Sequence, residues 1–499
     1  MGSRHEADVR SCARPAALLA GLALAGALAA GAAGAQAMRG PVVEGIATMA
    51  WGDPAPGSQA RGALRLTVRD DQGVDHAFVL PAGSPVVNFD AGASQGLRVR
   101  VYTDPSHGER GEPLAVAFLG HRTSDSPEVT GSQPWISLLC KFSNLAAEPR
   151  SQSYFVQMFD NSPGRLDHYW RESSYDQIDV VGSGASQWLV LPRAQSAYVP
   201  TPGSGCSGGS PADLDLLFDD CTAVADPFVD FSNGGTGGFA GINLMFNGDL
   251  DGCAWGGGHF ATLDGVTKSW RTTWEPPWGY ANVSVMAHEM GHGFGLPHSN
   301  NWDGDGSPYD NSWDVMSDAW NHAATDPTYG GLGKHTIAYH KDRLAWFPPG
   351  TVLVAGAPGT YEGILSDVAL RPPIAGYRMA KIPIPSSTRF WTVETRRRTG
   401  LYDSELPGDA VVIHEINPGR PEPAWCYDPA VPPDDQCDAA TVLWGVEETF
   451  VDAASQISVR VVEQTADGFR VAIYTGVPGP LFADGFETGG VGRWSDSAP

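Results

Sequence analysis

The stretch "AHEMGHGFGLPHS", residues 287–299, sets His288, His292 and His298 around a single glutamate, Glu289. At ~100° per residue, a helix over 282–294 projects His288 and His292 from one side. It turns Val283, Met286, Ala287 and Met290 to the other, where they can bury against a sheet. Two imidazoles four apart on one helical face are what a zinc ion takes from a single helix. Glu289 follows the first of them, so its carboxylate leans toward the ion without being forced to ligate it, and is free to act as a base. Gly295 can adopt positive φ and stop the helix, and Pro297 keeps it stopped, so the chain can swing His298 back to the same ion. Three neutral imidazoles leave a fourth tetrahedral position for water, an open arrangement typical of catalytic zinc. A lone histidine would read as a surface or capping residue; five positions fixed at once, three of them on an amphipathic helix, do not.

The string "HEMGHGFGLPH" follows the pattern HExxHxxGxxH and resembles the extended zinc signature of the metzincin metallopeptidases. The resemblance implies His288, His292 and His298 as ligands and Glu289 as general base and acid. Metzincins also carry a methionine turn beneath the metal, and "NSWDVMSD" (311–318) supplies it with Met316. The wider context is most similar to secreted immune inhibitor A and gametolysin-type peptidases. It lies in "LLCKFSN", "LDHYWRESSYDQIDVVG", "GLPHSNNWDGD", "AYHKDRLAWF" and "FWTVETRRRTGLYDSELPGDAVVIHEI", within residues 135–475. Only the zinc signature is highly specific. One departure concerns a tyrosine that some metzincins place shortly after the turn methionine to assist at the transition state. Here Ser317 and Asp318 follow, and Tyr309, Tyr329 and Tyr339 are the candidates to replace it. The expectation is a secreted zinc endopeptidase in which Glu289 deprotonates a zinc-activated water and returns the proton to the leaving amine.

The flanking sequence divides the chain. Arg4, Arg10 and Arg14 precede the apolar run of residues 16–34 and the small-residue stretch "AQA" at 35–37, which together read as a signal peptide over 1–37. Residues 38–130 carry short alternating runs such as "GALRLTVRD", "HAFVLPA" and "LRVRVYTD", the pattern of a small N-terminal β domain that could serve as a pro-domain. "GHRTSDSPEVTGSQP" (120–134) is poor in apolar residues and reads as a linker. Residues 135–350 alternate strand-like and helix-like patterns, residues 351–477 return to short strands suited to an antiparallel sandwich, and 478–499 form a polar tail. The expected fold is thus multidomain, with a central α+β zincin (metzincin-like) catalytic domain flanked by an N-terminal β domain and a C-terminal β-sandwich. The glycine-rich "CAWGGGHFA" (253–261) is the candidate edge strand for an extended substrate, and His259 within it reads as a surface residue.

Composition narrows the partners. The formal charge is −25, and loss of the leader makes it one unit more negative, a surface that repels nucleic acid and anionic lipid. Protein or peptide substrates remain, with no stable membrane association once the leader is gone. Cys12 precedes the apolar run; the other six cysteines form an even set suited to disulfides in an exported chain, Cys426–Cys437 being the easiest pair and the other four allowing three connectivities. Asp303, Asp305, Asp310 and Asp314 alternate with glycine and polar residues after His298, and the first three are candidate calcium ligands beside the zinc. Asp249 and Asp251 lie in "NGDLDG", which lacks the closing glutamate of an EF-hand and leaves them at most irregular ligands. The rival class is a secreted binding or adhesion protein that keeps a zincin scaffold without efficient catalysis.

Overall fold

The computed structural model describes residues 42–58, 60–81, 96–103, 113–119, 129–207, 211–233 and 238–476. The expected signal peptide, most of the expected linker and the polar tail lie outside these residues. The described chain is a mainly β, multidomain protein with several sheets and few helices.

The largest sheet has ten strands, and it crosses the expected boundary between the N-terminal and central regions. Its central part is built as the sequence patterns require. Trp135–Lys141 lies between Gly241–Phe246 and Gly184–Val190, parallel to both, and Gly241–Phe246 is also parallel to Val266–Glu275. Side chains of a strand alternate between faces. Trp135 and Leu139 therefore pack toward the helices Gln152–Met158, Leu166–Ser173 and Val283–Gly293, in a core with Phe155, Trp170 and Met290. Ile136, Leu138 and Cys140 point the other way, against the helix Leu214–Ala225 and the indoles of Trp270 and Trp274. The strand Cys253–Leu263 runs antiparallel to Val266–Glu275 and closes the central part.

Cys253–Leu263 is not an open edge here. Its other side is taken by the N-terminal strand Val42–Pro54, antiparallel, in register from Ala50 opposite Gly257 to Pro54 opposite Cys253. Val42–Pro54 in turn carries Ala63–Arg69 and Arg98–Thr103, so the N-terminal strands keep a core of their own around Met49, Leu66 and Val99 while sharing the central sheet. Two glycines permit the seam. A Cβ on Gly257 would sit 2.0 Å from the Met49 carbonyl oxygen, and one on Gly256 2.4 Å from the Glu289 carbonyl oxygen in the histidine helix behind it. The glycine run serves close approach on both faces.

Of the expected linker, residues 129–134 are described. Val129 is fully buried, donates its N–H to Leu344 and accepts from the Trp346 indole, and Gly131–Ser132 pairs with Ile178–Asp179. The C-terminal region forms two sheets around a shared core that includes Trp391, Val411, Phe450 and Val471. It is not wholly antiparallel: Val352–Val354 runs parallel to Met379–Pro383, and Ser299–Asn300, directly after His298, runs parallel to Ala424–Trp425. Disulfides join Cys140–Cys221, Cys206–Cys253 and Cys426–Cys437, the last being the pair expected from spacing. Among the described residues no helix is long and apolar enough to cross a membrane. These features are compatible with an extracellular protein.

Candidate metal centre

The histidine helix spans Val283–Gly293 with Asn282 and Phe294 at its caps, and all of its residues are buried. Its end is a Schellman motif: Leu296 N–H bonds the Gly291 carbonyl, Gly295 N–H bonds that of His292, and Gly295 carries φ +93°. This reversal returns His298 to the helix. The three Nε2 atoms form a nearly equilateral triangle, with His288–His292 at 3.1 Å and His298 3.2 Å from each. Nitrogens ~2.0–2.1 Å from one tetrahedral ion stand ~3.3 Å apart, so the triangle fits a single metal. The opposite ring nitrogens fix the tautomers. His288 Nδ1–H donates to the Val315 carbonyl at 2.6 Å and His292 Nδ1–H to the Leu296 carbonyl at 2.8 Å, leaving both Nε2 lone pairs free to ligate.

A fourth side chain, not found from sequence, completes the group. Asp53, the penultimate residue of the N-terminal strand Val42–Pro54, places Oδ2 3.3 Å from His288 Nε2 and 3.4 Å from His292 Nε2, and Oδ1 2.8 Å from His298 Nε2. Together Asp53, His288, His292 and His298 are a buried set that can bind a metal ion. Trp51, two residues earlier on the same strand face, stacks flat on His292 with ring centroids 4.6 Å apart. The legible signal was "MAWGDP": an aspartate ending an alternating apolar run, two positions after a tryptophan.

Glu289 lies behind the three histidines, wholly buried, and neither carboxylate oxygen has a hydrogen-bond partner. Burial, then the nearby charges of Asp53 and Glu275, push its pKa well above the usual carboxylate range. Glu275, equally buried and unpartnered, is pushed up to about 8 by burial. Met316 packs under the helix, close enough that a Cβ on Gly291 would meet its sulfur at 2.4 Å. Its turn is held by Asp314, which accepts from Met316 N–H and from the Ser299 hydroxyl and lies 2.9 Å from His340 Nδ1.

Of the three candidate tyrosines, only Tyr309 reaches the centre. Its ring is 5.3 Å from that of His298, and its hydroxyl donates to Asp53 Oδ1 at 2.7 Å. Tyr329 donates instead to the Tyr154 carbonyl, and Tyr339 accepts from Arg343. A cleft beside His288 and Glu289 is walled by Trp278, Val285, Ala319 and Trp320.

Asp303, Asp305 and Asp310 come within ligand reach of one another, and burial raises the Asp310 pKa to about 9, its two acidic neighbours adding to the shift. Each already accepts a backbone N–H: Asp303 from Asp305, Asp305 from Ser307 and Asp310 from Asn301. Asp314 stands apart from them in the methionine turn. Asp251 accepts from Ala212 N–H and the Trp255 indole, and Asp249 from Leu250 N–H. His259, expected at the surface, is buried, stacked on Phe218 and 3.4 Å from Asp215, away from the centre. Compared with known protein families and with curated proteins, the chain matches none.

Proposed function

We propose that the chain is a secreted zinc endopeptidase of the metzincin kind, acting on extracellular proteins. The observation that carries this reading is the Nε2 triangle of His288, His292 and His298 with the unpartnered carboxylate of Glu289 beside it. His288, His292 and His298 would hold a zinc ion, which when bound would supply an acidified water and a Lewis acid for the peptide carbonyl. Glu289 takes the proton from the attacking water and delivers it to the leaving amine. Tyr309, whose hydroxyl already reaches the centre, is the donor placed to meet the developing oxyanion. Cys253–Leu263 is the strand on which an extended substrate would pair antiparallel, and the aromatic cleft of Trp278 and Trp320 favours an apolar side chain beside the scissile bond. Three disulfides support secretion.

A binding protein on the same scaffold is the second reading, and the capping of the histidines by Asp53 is what favours it. The test is cleavage of casein by zinc-loaded protein against Glu289→Ala, in the intact chain and in Asp53→Asn, with fragments read by mass spectrometry. Internal cuts that vanish with Glu289→Ala and with 1,10-phenanthroline are expected. Protein and Asp53→Asn variant each holding one zinc, with neither cutting, would leave the binding-protein reading standing.

A further inference from the structure

We propose that Glu422, brought beside the candidate metal centre by the C-terminal sheet, is the anionic wall of a subsite for a cationic side chain, so that preferred substrates carry arginine or lysine next to the scissile bond. The inference rests on the endopeptidase reading and deepens it by naming a substrate class.

The placement comes from strand pairing. Ser299 and Asn300, directly after His298, lie opposite Ala424 and Trp425 in a parallel pair. One step back along both segments sets Pro423 beside His298, and Glu422 immediately precedes it. The loop that presents Glu422 is "NPGRPEP", residues 417–423. Its ends are tied by Asn417 N–H to the Pro423 carbonyl at 2.8 Å, and the Arg420 guanidinium donates to the same carbonyl at 3.2 Å. Proline flanks Glu422 on both sides: Pro421 has its own φ fixed, and Pro423 confines Glu422 to extended backbone. The carboxylate is therefore set in place before any substrate arrives.

Its surroundings supply no partner. Glu422 is partly exposed, and no side chain among the described residues hydrogen-bonds or ion-pairs with it. The neighbouring cations are engaged elsewhere: Arg389 and Arg420 both pair with Glu415, and Arg420 also lies over the Trp425 ring, 4.1 Å from its centroid. Burial raises the Glu422 pKa against the opposing pull of His298 and Arg420, as befits a carboxylate short of compensating contacts. Such a group gains most from a charge-assisted hydrogen bond, and the planar fork of a guanidinium fits it best.

The aromatic cleft of Trp278 and Trp320 opens beside His288 and Glu289, and neither His298 nor Glu422 walls it. Glu422 stands instead at the His298 corner of the nitrogen triangle. Burial and Asp53 dominate the raised pKa of Tyr309, and Glu422 adds to it, so its carboxylate is within electrostatic reach of the hydroxyl at the centre. An extended peptide crossing the centre thus meets an apolar cleft on one side and a carboxylate on the other.

The test exposes a mixed peptide library to the zinc-loaded chain and reads the residues flanking each cut by mass spectrometry. Wild type is compared with Glu422→Gln, which keeps the side-chain shape, and with Glu422→Lys, which reverses the charge, each with Asp53 intact and as Asp53→Asn. Wild type should favour arginine or lysine on the side of the cut opposite the apolar residue. For matched peptides carrying arginine or its neutral isostere citrulline there, arginine should be cut about ten- to a hundredfold faster, and Glu422→Gln should abolish that ratio. Glu422→Lys should turn the preference toward aspartate or glutamate, a change that a merely structural role would not produce. Cuts with the same flanking residues in all the proteins would overturn the assignment of Glu422 and leave the endopeptidase reading standing. No cut by any of them would remove the endopeptidase reading, and this subsite with it.

Discussion

Replacing Arg396 by methionine should destabilise the protein and loosen the candidate metal centre, although Arg396 belongs to the C-terminal sheet. The guanidinium is fully buried, 2.9 Å from Asp403 and 3.3 Å from Glu394, and it donates to the carbonyls of Trp313 and His335. Methionine fills much of the volume but strands two buried carboxylates. They are not equivalent. Burial pushes Glu394 up to about 7, so it can take a proton; Asp403, despite its burial, is held below the usual carboxylate range by Arg396 and by His335, and keeps its charge. Removing one partner of a buried pair costs ~3–5 kcal/mol, chiefly the uncompensated charge that remains. That is about two to three and a half powers of ten in the folding constant. Arg396→Met/Asp403→Leu should lose less than Arg396→Met alone, because no orphaned aspartate is left. Urea unfolding followed by tryptophan fluorescence, with disulfides intact, measures both. Trp313 lies two residues before Val315, whose carbonyl orients His288, so a zinc ion loaded at the candidate centre should also pass to a chelator faster in the single variant. A midpoint shift worth less than about 1 kcal/mol, or a double variant weaker than the single, would refute the argument that the pair's cost lies in the stranded charge.

Two further outcomes follow from packing and titration. Gly291→Ala drives a methyl group into the Met316 sulfur, an overpacking cost of ~1–3 kcal/mol that exceeds the ~1 kcal/mol gained in helix propensity. Thermal unfolding should show a net loss, and Met316→Ala should absorb it, so an equal loss in both backgrounds would count against the contact. Lys341 is wholly buried, and burial lowers its pKa to about 7. Between that value and the ~10.4 of an unfolded lysine, the unfolded chain binds one more proton, so this group makes stability rise with pH across that window. Lys341→Met should flatten the rise in urea midpoints from pH 7 to 10; an unchanged slope would exclude Lys341 as its source.

The helix Val283–Gly293 was legible because its information is local: ligand spacing, the buried face of Met286 and Met290, and the stop at Gly295 all fall within a few turns. The Nε2 triangle follows from those constraints. What could not be read was whatever depends on distant segments meeting. Ala47, Met49 and Trp51 alternate toward a core, and that periodicity gives a face but not a neighbour, so neither the seam with Cys253–Leu263 nor the placement of Asp53 was foreseen. Tyr309 was one of three candidates because choosing among them needs the path of the loop after His298. The parallel pairing of Ser299–Asn300 with Ala424–Trp425 spans two residues, too short for any pattern to register. His259 reads as a surface residue because it sits among glycines, and it is buried because the helix Leu214–Ala225 brings Phe218 and Asp215 onto it.

The continuous sheet has a consequence for how the N-terminal strands could ever leave. They are held by the Ala50–Pro54 ladder, by the ion pair of Arg65 with Asp215 and by Arg69 over the Phe260 ring. None of these depends on the backbone being unbroken between Leu119 and Val129. Within one chain the strands face their seam at an effective concentration of order millimolar; after a cut there they face it only at the concentration of the nicked protein. Cutting therefore changes the molecularity of the equilibrium, not its contacts. A nicked sample kept concentrated should remain covered, and the same sample should open on dilution, so that volume, as much as any protease, sets when the centre is exposed.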